Sequence, residues 1–384
     1  MKLIVDANIP AAERCFGEFG TLTRLPGREI GAEHVKDADA LIVRSITQVN
    51  DTLLGESPVR FVGTCTIGTD HIDHAALARR NIAFASAPGC NAEAVVDYVL
   101  SSLLTLAERD GWSLLARTVG VVGAGNVGSR LLARLQALGV KTLACDPPRA
   151  EAQEKSEQDF ASLDELIERC DVLCLHTPLV TEGPHATYQL LDAQRISELA
   201  PGTVLLNAGR GDCIDEMALR GRLAGKGDIS AVLDVWENEP GIDASLRDLV
   251  ALATPHIAGH SLDGKLRGTW MIQQALAKHC GQEAPEAFAD ICPSPALASL
   301  HLQKTLPVED ALRLCMRAVY DVRRDHDSLE RQVHQQGVRK GFDTCRADYP
   351  LRREFATLTV KLSGSAVELE VPLKAAGFGV QRAE

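Results

Sequence analysis

The chain has 384 residues, of which 45% are hydrophobic and 24% are charged, as in globular proteins of two or three domains. Its 52 Asp and Glu residues exceed its 40 Lys and Arg residues, and the resulting charge of −12 disfavours binding to nucleic acids or anionic membranes. An anionic substrate must therefore be bound by a few local cations. The N-terminal segment has no signal-peptide core, and no apolar run approaches the ~20 residues of a membrane helix, so we expect a cytoplasmic protein.

The cysteines give no sign of a covalent framework. There are 11 of them, spread from Cys15 to Cys345, and no two form a CxxC pair. An odd number at these spacings is atypical of a disulfide framework or a zinc site. We therefore expect reduced thiols and no metal centre.

Short apolar runs bounded by polar or turn residues predict strands at residues 2–6, 40–44 and 60–63. A broad stripe of valines and leucines predicts a helix over residues 92–109. Further apolar runs, separated by helical stretches, predict buried strands at residues 118–122, 140–145, 172–176, 204–207 and 230–235. Buried strands that alternate with helices are typical of a parallel, doubly wound α/β sheet.

The C-terminal part of the chain has a different pattern. Residues 262–279 predict another helix, residues 285–295 form a break rich in Pro and Ala, and a helical segment follows at 308–333. Alternating apolar and polar residues at 357–362 and 367–371, on either side of a Ser-Gly-Ser turn, predict a β-hairpin. These elements predict a small α+β domain.

Residues 123–128 read Gly-Ala-Gly-Asn-Val-Gly, a GxGxxG motif between a predicted strand and a predicted helix over 127–138. The next predicted strand leads to Asp146, 18 residues beyond Gly128. In this context the glycines let backbone N–H groups and the helix N-terminus approach a dinucleotide pyrophosphate. The Asp146 carboxylate can accept hydrogen bonds from a ribose and repels a 2′-phosphate, so NAD is favoured over NADP. Arg149 lies three residues after Asp146, and this nearby basic residue means that the sequence does not exclude binding of NADP.

Polar segments follow three of the predicted strands, at residues 207–211, 234–240 and 254–259. Because ligands bind at the carboxyl ends of strands in open α/β sheets, Arg210, Glu239 and His256 can converge at one site. His256 can take a hydroxyl proton, Glu239 can hold its other ring nitrogen, and Arg210 can bind a carboxylate. This set suits hydride transfer from a 2-hydroxy acid, although each residue alone is also compatible with a surface or structural role.

Together these motifs resemble the D-isomer-specific 2-hydroxyacid dehydrogenases over about residues 35–280. The strings that carry the resemblance are GAGNVG, NAGRG, DVWENEP and TPHIAG, with residues 43–45 and 63–73. The resemblance implies a Rossmann-type, doubly wound NAD domain at residues 95–256. It also implies a flavodoxin-like substrate domain at residues 1–94, completed by residues 257–285, with the active site in the cleft.

Further strings extend the resemblance over nearly the whole chain, to one subgroup of this family. They are residues 88–91, 145–149, 264–269, 320–325, 341–343, 349–350 and 352–355. The subgroup acts on a phosphorylated 2-hydroxy acid and uses its terminal domain to form a homodimer. The resemblance therefore implies homodimerisation through a small α+β domain at residues 286–384.

The fingerprint and the resemblance also imply site residues. The residues expected to be catalytic are Arg210, Glu239 and His256. The residues expected to bind NAD are Gly123, Gly125, Asn126, Val127, Gly128, Asp146, Thr177, Ala208, Gly209, Arg210, Asp234 and Gly259. The residues expected to bind the substrate are Ser45, Thr66 and His260, and His260 replaces a tyrosine of the subgroup. Arg44 is the nearest candidate counter-charge for a phosphate, although it is also compatible with a surface strand end.

Two alternatives remain open from the sequence. The first is another D-2-hydroxyacid dehydrogenase, such as one acting on 3-phosphoglycerate, against which only the C-terminal strings argue. The second is a non-catalytic, NAD-responsive protein like the corepressors that share this scaffold. The acidic charge argues against that second class, and NAD reduction with any hydroxy acid would exclude it.

Overall fold

The computed structural model describes residues 1–152 and 159–383. The strands in these residues are β1 Lys2–Asp6, β2 Thr21–Leu25, β3 Ala40–Val43, β4 Phe61–Thr64, β5 Ala83–Ala85, β6 Thr118–Val122, β7 Lys141–Cys145, β8 Val172–Leu175, β9 Val204–Asn207, β10 Ser230–Leu233, β11 Leu252–Ala253, β12 Ser299–Leu302, β13 Thr359–Leu362 and β14 Gly379–Arg382. Every pairing between these strands is parallel.

The helices in the same residues are α1 Ala12–Phe16, α2 Ala32–Val35, α3 Asp51–Leu54, α4 His74–Arg79, α5 Ala92–Asp110, α6 Gly128–Ala137, α7 Pro147–Ala152, α8 Leu163–Arg169, α9 Ala193–Glu198, α10 Glu216–Gly225, α11 Ala244–Arg247, α12 Leu262–His279, α13 Phe288–Ile291, α14 Val308–Val319, α15 Val322–Gln336, α16 Val338–Ala347 and α17 Glu370–Ala375. None of these helices is long and apolar enough to cross a membrane. The chain divides into two compact units, residues 1–92 with 260–294, and residues 93–259 with 295–384.

The first unit contains a five-stranded sheet in the order β2-β1-β3-β4-β5. This is the 2-1-3-4-5 order of flavodoxin-like folds, as the sequence predicts for the substrate domain. Side chains of β1 alternate between two hydrophobic clusters, one on each face of the sheet. Helix α12 packs closely on β4, because a Cβ atom at Gly63 would lie only 2.5 Å from the Ile272 side chain.

The second unit contains a six-stranded sheet in the order β11-β10-β9-β8-β6-β7. A single parallel bridge between Ala144 and Phe160 adds one more position beside β7. With that position as the third in chain order, the first six have the 3-2-1-4-5-6 order of dinucleotide-binding folds, and β11 extends the sheet beside β10. The predicted doubly wound, Rossmann-type domain is therefore confirmed, and its strand order reverses between β6 and β8, where such folds bind their ligands.

The C-terminal region carries α14, α15, α16 and α17 and a parallel sheet in the order β12-β13-β14. One continuous hydrophobic cluster joins α5, β6 and β13, so this sheet and the dinucleotide-binding sheet belong to the same unit.

The predicted hairpin at residues 357–371 is wrong. Residues 364–369 form a 3-10 helix that leads into α17, and β13 pairs in parallel with β12 and β14. Ala366, Leu369 and Leu373 are buried, and their spacing of three and four residues is helical. Alternating apolar and polar residues in this short stretch therefore predicted a strand where the spacing of the buried residues is that of a helix.

The predicted helix at 308–333 is divided into two helices, because the extended Tyr320 ends α14 and the Asp321 side chain caps α15.

Candidate active site

The glycine motif forms the turn between β6 and α6. Gly123 has a φ of +87°, and a Cβ atom at Gly128 would lie 1.9 Å from the Gly123 carbonyl oxygen, so both positions require glycine. Gly125 differs, since a Cβ atom there would have no neighbour within 4 Å. Its backbone therefore faces open space at the N-terminus of a helix, which fits a dinucleotide pyrophosphate.

Asp146 lies directly after β7, beside this turn. Its Oδ2 accepts a hydrogen bond of 2.8 Å from the Ala124 amide, which ties the carboxylate to the glycine motif. The Arg149 guanidinium donates to the Ala124 carbonyl oxygen and lies over the ring of Phe160. Asp146 is therefore placed as the fingerprint requires, and the Arg149 guanidinium is engaged with the glycine turn.

The loops after β8, β9 and β10 approach one another at backbone distance. A Cβ atom at Gly209 would lie 2.9 Å from the Thr177 carbonyl oxygen, and one at Gly211 would lie 2.0 Å from the carbonyl carbon of Trp236. The Asn207 side chain accepts from the Gly209 amide at 3.0 Å and donates to the Arg210 carbonyl oxygen at 2.9 Å. The NAGRG segment is thus a fixed turn that carries Arg210 next to the DVWENEP segment.

His256 and Glu239 form a hydrogen-bonded pair. His256 Nδ1 lies 2.8 Å from Glu239 Oε2, while the Trp236 amide donates to Glu239 Oε1 at 3.0 Å. A carboxylate only accepts, so Nδ1 carries the proton and Nε2 is left to exchange one with a substrate. The His256 side chain is 36% exposed, and its φ of +56° is a strained conformation of the kind found at functional sites.

Asp234 fixes the segment that carries His256. Its buried carboxylate accepts hydrogen bonds from the Thr254 hydroxyl at 2.7 Å and from the Ile257 and Ala258 amides at 2.8 and 2.9 Å. Burial raises the pKa of the Asp234 carboxyl, whereas the neighbouring His256 and these donors act in the opposite direction. The structure gives Asp234 this supporting role, and its contact with NAD stays a prediction.

Two arginines of the C-terminal region contact the segments that carry Glu239 and His256, and neither was predicted from the sequence. The buried Arg352 guanidinium donates to the carbonyl oxygen of Ala258 at 3.0 Å and lies 3.6 Å from the centre of the Tyr320 ring. Arg346 Nη1 lies 3.7 Å from Glu239 Oε2. Arg352 belongs to one of the strings that carry the resemblance, but nothing in the sequence indicates that either arginine lies near His256.

Glu216, the first residue of α10, packs against the loop that carries Glu237 and Glu239, and the sequence did not predict it as part of the site. Its Oε1 accepts a hydrogen bond of 2.8 Å from the Glu237 amide, and the side chain is buried. Burial, with smaller contributions from the negative charges of Glu237, Asp243 and Asp212, raises the pKa of Glu216 to about 8. Glu216 is therefore largely protonated at neutral pH.

The predicted substrate residues lie in the first unit. Arg44 and Ser45 follow β3, and Thr66 follows β4, its neighbour in the sheet. The Thr66 hydroxyl lies 2.8 Å from the Thr64 hydroxyl, and His260 precedes α12. Their contact with substrate stays a prediction. Within the described residues there is no group of three or more His, Cys, Asp or Glu side chains arranged to hold a metal ion.

Comparisons with known proteins show which protein family this chain resembles. Residues 100–258 match the family model of the D-isomer specific 2-hydroxyacid dehydrogenase, NAD binding domain, and residues 291–374 match a domain of unknown function (DUF3410). The chain is 57% identical over 381 residues to a protein of Chromohalobacter salexigens named erythronate-4-phosphate dehydrogenase, with 99% of each chain covered. It is 50% identical over 379 residues to a protein of the same name in Azotobacter vinelandii, covering 98% of this chain and 99% of that protein.

The solved structure of the TT0316 protein from Thermus thermophilus is similar, with 28% identity and a TM-score of 0.62 over 74% of this chain and 99% of that chain. These matches define an NAD-dependent dehydrogenase of the D-isomer-specific 2-hydroxyacid class and confirm the class and the cofactor predicted from the motifs. Within that class, the chain belongs to the erythronate-4-phosphate dehydrogenase family. This result favours the predicted subgroup, which acts on a phosphorylated 2-hydroxy acid, over another D-2-hydroxyacid dehydrogenase and over a non-catalytic, NAD-responsive protein.

Proposed function

We propose that this chain catalyses the NAD-dependent oxidation of 4-phospho-D-erythronate to 2-oxo-3-hydroxy-4-phosphobutanoate in pyridoxal 5′-phosphate biosynthesis. The observation that carries the reaction type is the 2.8 Å hydrogen bond between His256 Nδ1 and Glu239 Oε2, in a Rossmann-type domain. The substrate follows from the relatives of that name, because 57% identity extends over 99% of the chain and includes its C-terminal region.

In this reaction the hydroxyl group at C2 gives its proton to His256 Nε2 while C2 loses a hydride and becomes a carbonyl carbon. Glu239 holds the imidazole through Nδ1 and stabilises the imidazolium that forms. Arg210 binds the substrate carboxylate and the developing carbonyl oxygen. NAD, when bound, accepts the hydride. In the reverse direction His256 returns the proton.

The glycine turn and the residues around it would hold the cofactor. We assign the pyrophosphate to the backbone at Gly123, Gly125, Asn126, Val127 and Gly128, and the ribose to Asp146. The remaining proposed contacts are Thr177, Ala208, Gly209, Arg210, Asp234 and Gly259. The open space above Gly125 and the position of Asp146 beside Ala124 support this assignment.

The direct test is NADH-linked activity with 4-phospho-D-erythronate beside 3-phosphoglycerate, unphosphorylated erythronate and D-lactate. Because such oxidations can be uphill, the corresponding 2-oxo acids are also measured with NADH. We expect the highest kcat/KM for the four-carbon phosphate. A higher kcat/KM for 3-phosphoglycerate would contradict the proposed substrate while retaining the class of enzyme.

We also propose a homodimer formed through residues 286–384, in the cytoplasm. Large apolar side chains of this region that are exposed in the isolated chain support a second copy as the partner. They include Leu314 at 46%, Leu351 at 69% and Val371 at 70% exposure. Light scattering should give twice the 41.3 kDa mass of one chain, and a monomer at micromolar concentration would contradict the proposal.

A further inference from the structure

Among the described residues, the half-buried cations Arg44 and Lys265 of the first unit have no carboxylate within ion-pair distance. Arg44 follows β3, and Lys265 lies in the first turns of α12. Neither side chain makes a hydrogen bond or ion pair with any residue in 1–152 or 159–383. This is unusual in a chain with 52 acidic and 40 basic residues, where most of the buried and half-buried arginines are paired with carboxylates.

The packing of α12 brings these two residues to the same edge of the sheet. In the register of β3 and β4, Val43 lies beside Thr64, and the Cys65 amide donates to the Val43 carbonyl oxygen at 2.9 Å. A Cβ atom at Gly268 would lie 2.7 Å from the Cys65 carbonyl oxygen, so α12 touches the chain where β4 ends. Lys265 lies one turn before Gly268 on the same face of the helix.

Electrostatics support this proximity. Burial lowers the pKa of Lys265, and the positive charge of Arg44 lowers it further. Arg44 also acts on the buried Cys65 thiol, where its charge opposes the effect of burial on the thiol pKa, and the weaker effect of the Asp6 carboxylate acts in the same direction as burial. Two like charges that are not ion-paired to a carboxylate repel each other, and an anion bound between them would relieve that repulsion.

Hydroxyl groups complete the environment. Ser45 is exposed directly after Arg44, and the half-buried Thr66 follows Cys65. The Thr66 hydroxyl donates to the Gly68 carbonyl oxygen at 3.3 Å, whereas no partner is seen for the Ser45 hydroxyl among the described residues. Two cations with this adjacent hydroxyl donor match a phosphate group, which carries up to two negative charges and three acceptor oxygens. A carboxylate, with one charge and two oxygens, would leave part of this positive charge unpaired.

We propose that Arg44 and Lys265 form the subsite that binds the phosphate of the substrate. The proposal rests on the proposed function, which supplies a phosphorylated substrate, and it adds Lys265 to the residues that determine specificity.

The test compares Lys265→Met and Arg44→Met with wild type on 4-phospho-D-erythronate and on unphosphorylated erythronate. Loss of one charge-assisted contact should lower kcat/KM for the phosphate by about 10- to 100-fold and leave that for erythronate within about twofold. Inorganic phosphate is the second probe, and its competitive inhibition constant should rise by a similar factor in both variants. Lys278→Met, which removes an exposed lysine at the far end of α12, is the matched control and should retain wild-type values.

Equal losses of kcat/KM on both substrates, or unchanged inhibition by inorganic phosphate, would overturn the proposal. Circular dichroism and NAD binding verify that each variant is folded, and Lys265→Gln and Arg44→Gln replace any that are not. Failure of the proposed function has a different signature: wild type would prefer another hydroxy acid. Loss of inhibition by inorganic phosphate in both variants would even then support the anion subsite.

Discussion

The Arg352 guanidinium donates a hydrogen bond of 3.0 Å to the carbonyl oxygen of Ala258, two residues after His256. Arg352 also donates to the Ala94 carbonyl oxygen at 2.5 Å and lies over the Tyr320 ring. A C-terminal residue therefore joins the start of α5 to the segment that carries His256. The C-terminal region thus supports the segment that carries His256 within one chain, independently of any dimer.

We expect Arg352→Lys to lower kcat by about 10- to 100-fold, because an ammonium cannot reproduce the planar fork that holds several carbonyl groups. The dissociation constant of NAD should change much less, since the glycine turn is untouched. Steady-state kinetics and NAD titration check this prediction, with Arg323→Gln, an exposed arginine paired with Asp321, as the control. A folded Arg352→Lys variant with normal kcat would show that the hydrogen bond to Ala258 does not position His256.

Arg346 is expected to influence proton transfer through Glu239. Its guanidinium lies near the same Glu239 Oε2 that contacts His256, and its charge would offset part of the negative charge proposed to stabilise the imidazolium. Arg346→Gln should therefore raise kcat for the oxidation by about two- to threefold, as expected for a partly exposed ion pair, with the dissociation constant of NAD unchanged. Steady-state kinetics and NAD titration check this prediction, and Arg346→Lys should restore the wild-type kcat. A lower kcat in Arg346→Gln, or none of this rescue by lysine, would contradict this account.

His256→Ala should lower kcat by about 10²- to 10⁴-fold while NAD still binds, because the proton acceptor is lost and the glycine turn is not. Stopped-flow NADH formation and NAD titration measure the two effects separately. His334→Ala, which removes an exposed histidine of α15, is the control. A rate near that of wild type for His256→Ala would mean that another group is the base.

Asp146→Ala should weaken NAD binding and reduce discrimination against NADP. The substitution removes the carboxylate that we propose binds the ribose and repels a 2′-phosphate, and the Ala124 amide loses its acceptor. We expect the preference for NAD, as a ratio of kcat/KM values, to fall by about 10- to 100-fold. Unchanged discrimination would mean that the glycine turn, rather than Asp146, selects the cofactor.

The sequence predicted most of the sheets because their strands are short, buried apolar runs with polar boundaries. Strands β6 and β9 have the predicted bounds, and β3, β4 and β8 differ by one residue or less at each end. The prediction of a hairpin was wrong because the residues involved fit both an alternating pattern and a helical spacing. Over so few residues, the local pattern cannot distinguish a strand from a helix.

The supporting residues of the site could not be predicted for a different reason. Arg352 and Ala258 are 94 positions apart, and only the packing of the C-terminal region within the second unit brings them together. Lys265 occupies an ordinary helical position, and its significance depends on the approach of α12 to Cys65. Motifs identify chemical groups that act directly, whereas groups that position them are defined by tertiary contacts.

Glu216 predicts how stability depends on pH. Its pKa is about 8 in the folded protein against an ordinary value of 4.5, so the folded state holds the proton more tightly than the unfolded state. The contribution of Glu216 to stability is therefore fully present below pH 4.5 and is lost as the pH rises towards 8.

Glu216→Gln should remove this dependence while retaining an oxygen that accepts from the Glu237 amide. Relative to wild type, we expect the variant to gain roughly 2–4 kcal/mol of unfolding free energy between pH 5 and pH 9, with activity at pH 7 preserved. Urea unfolding at pH 5, 7 and 9 measures the difference, and Glu182→Gln, at an exposed position, is the control. If the two free energies keep a constant difference across this range, Glu216 does not titrate in it, and its burial must be compensated by contacts other than the Glu237 amide.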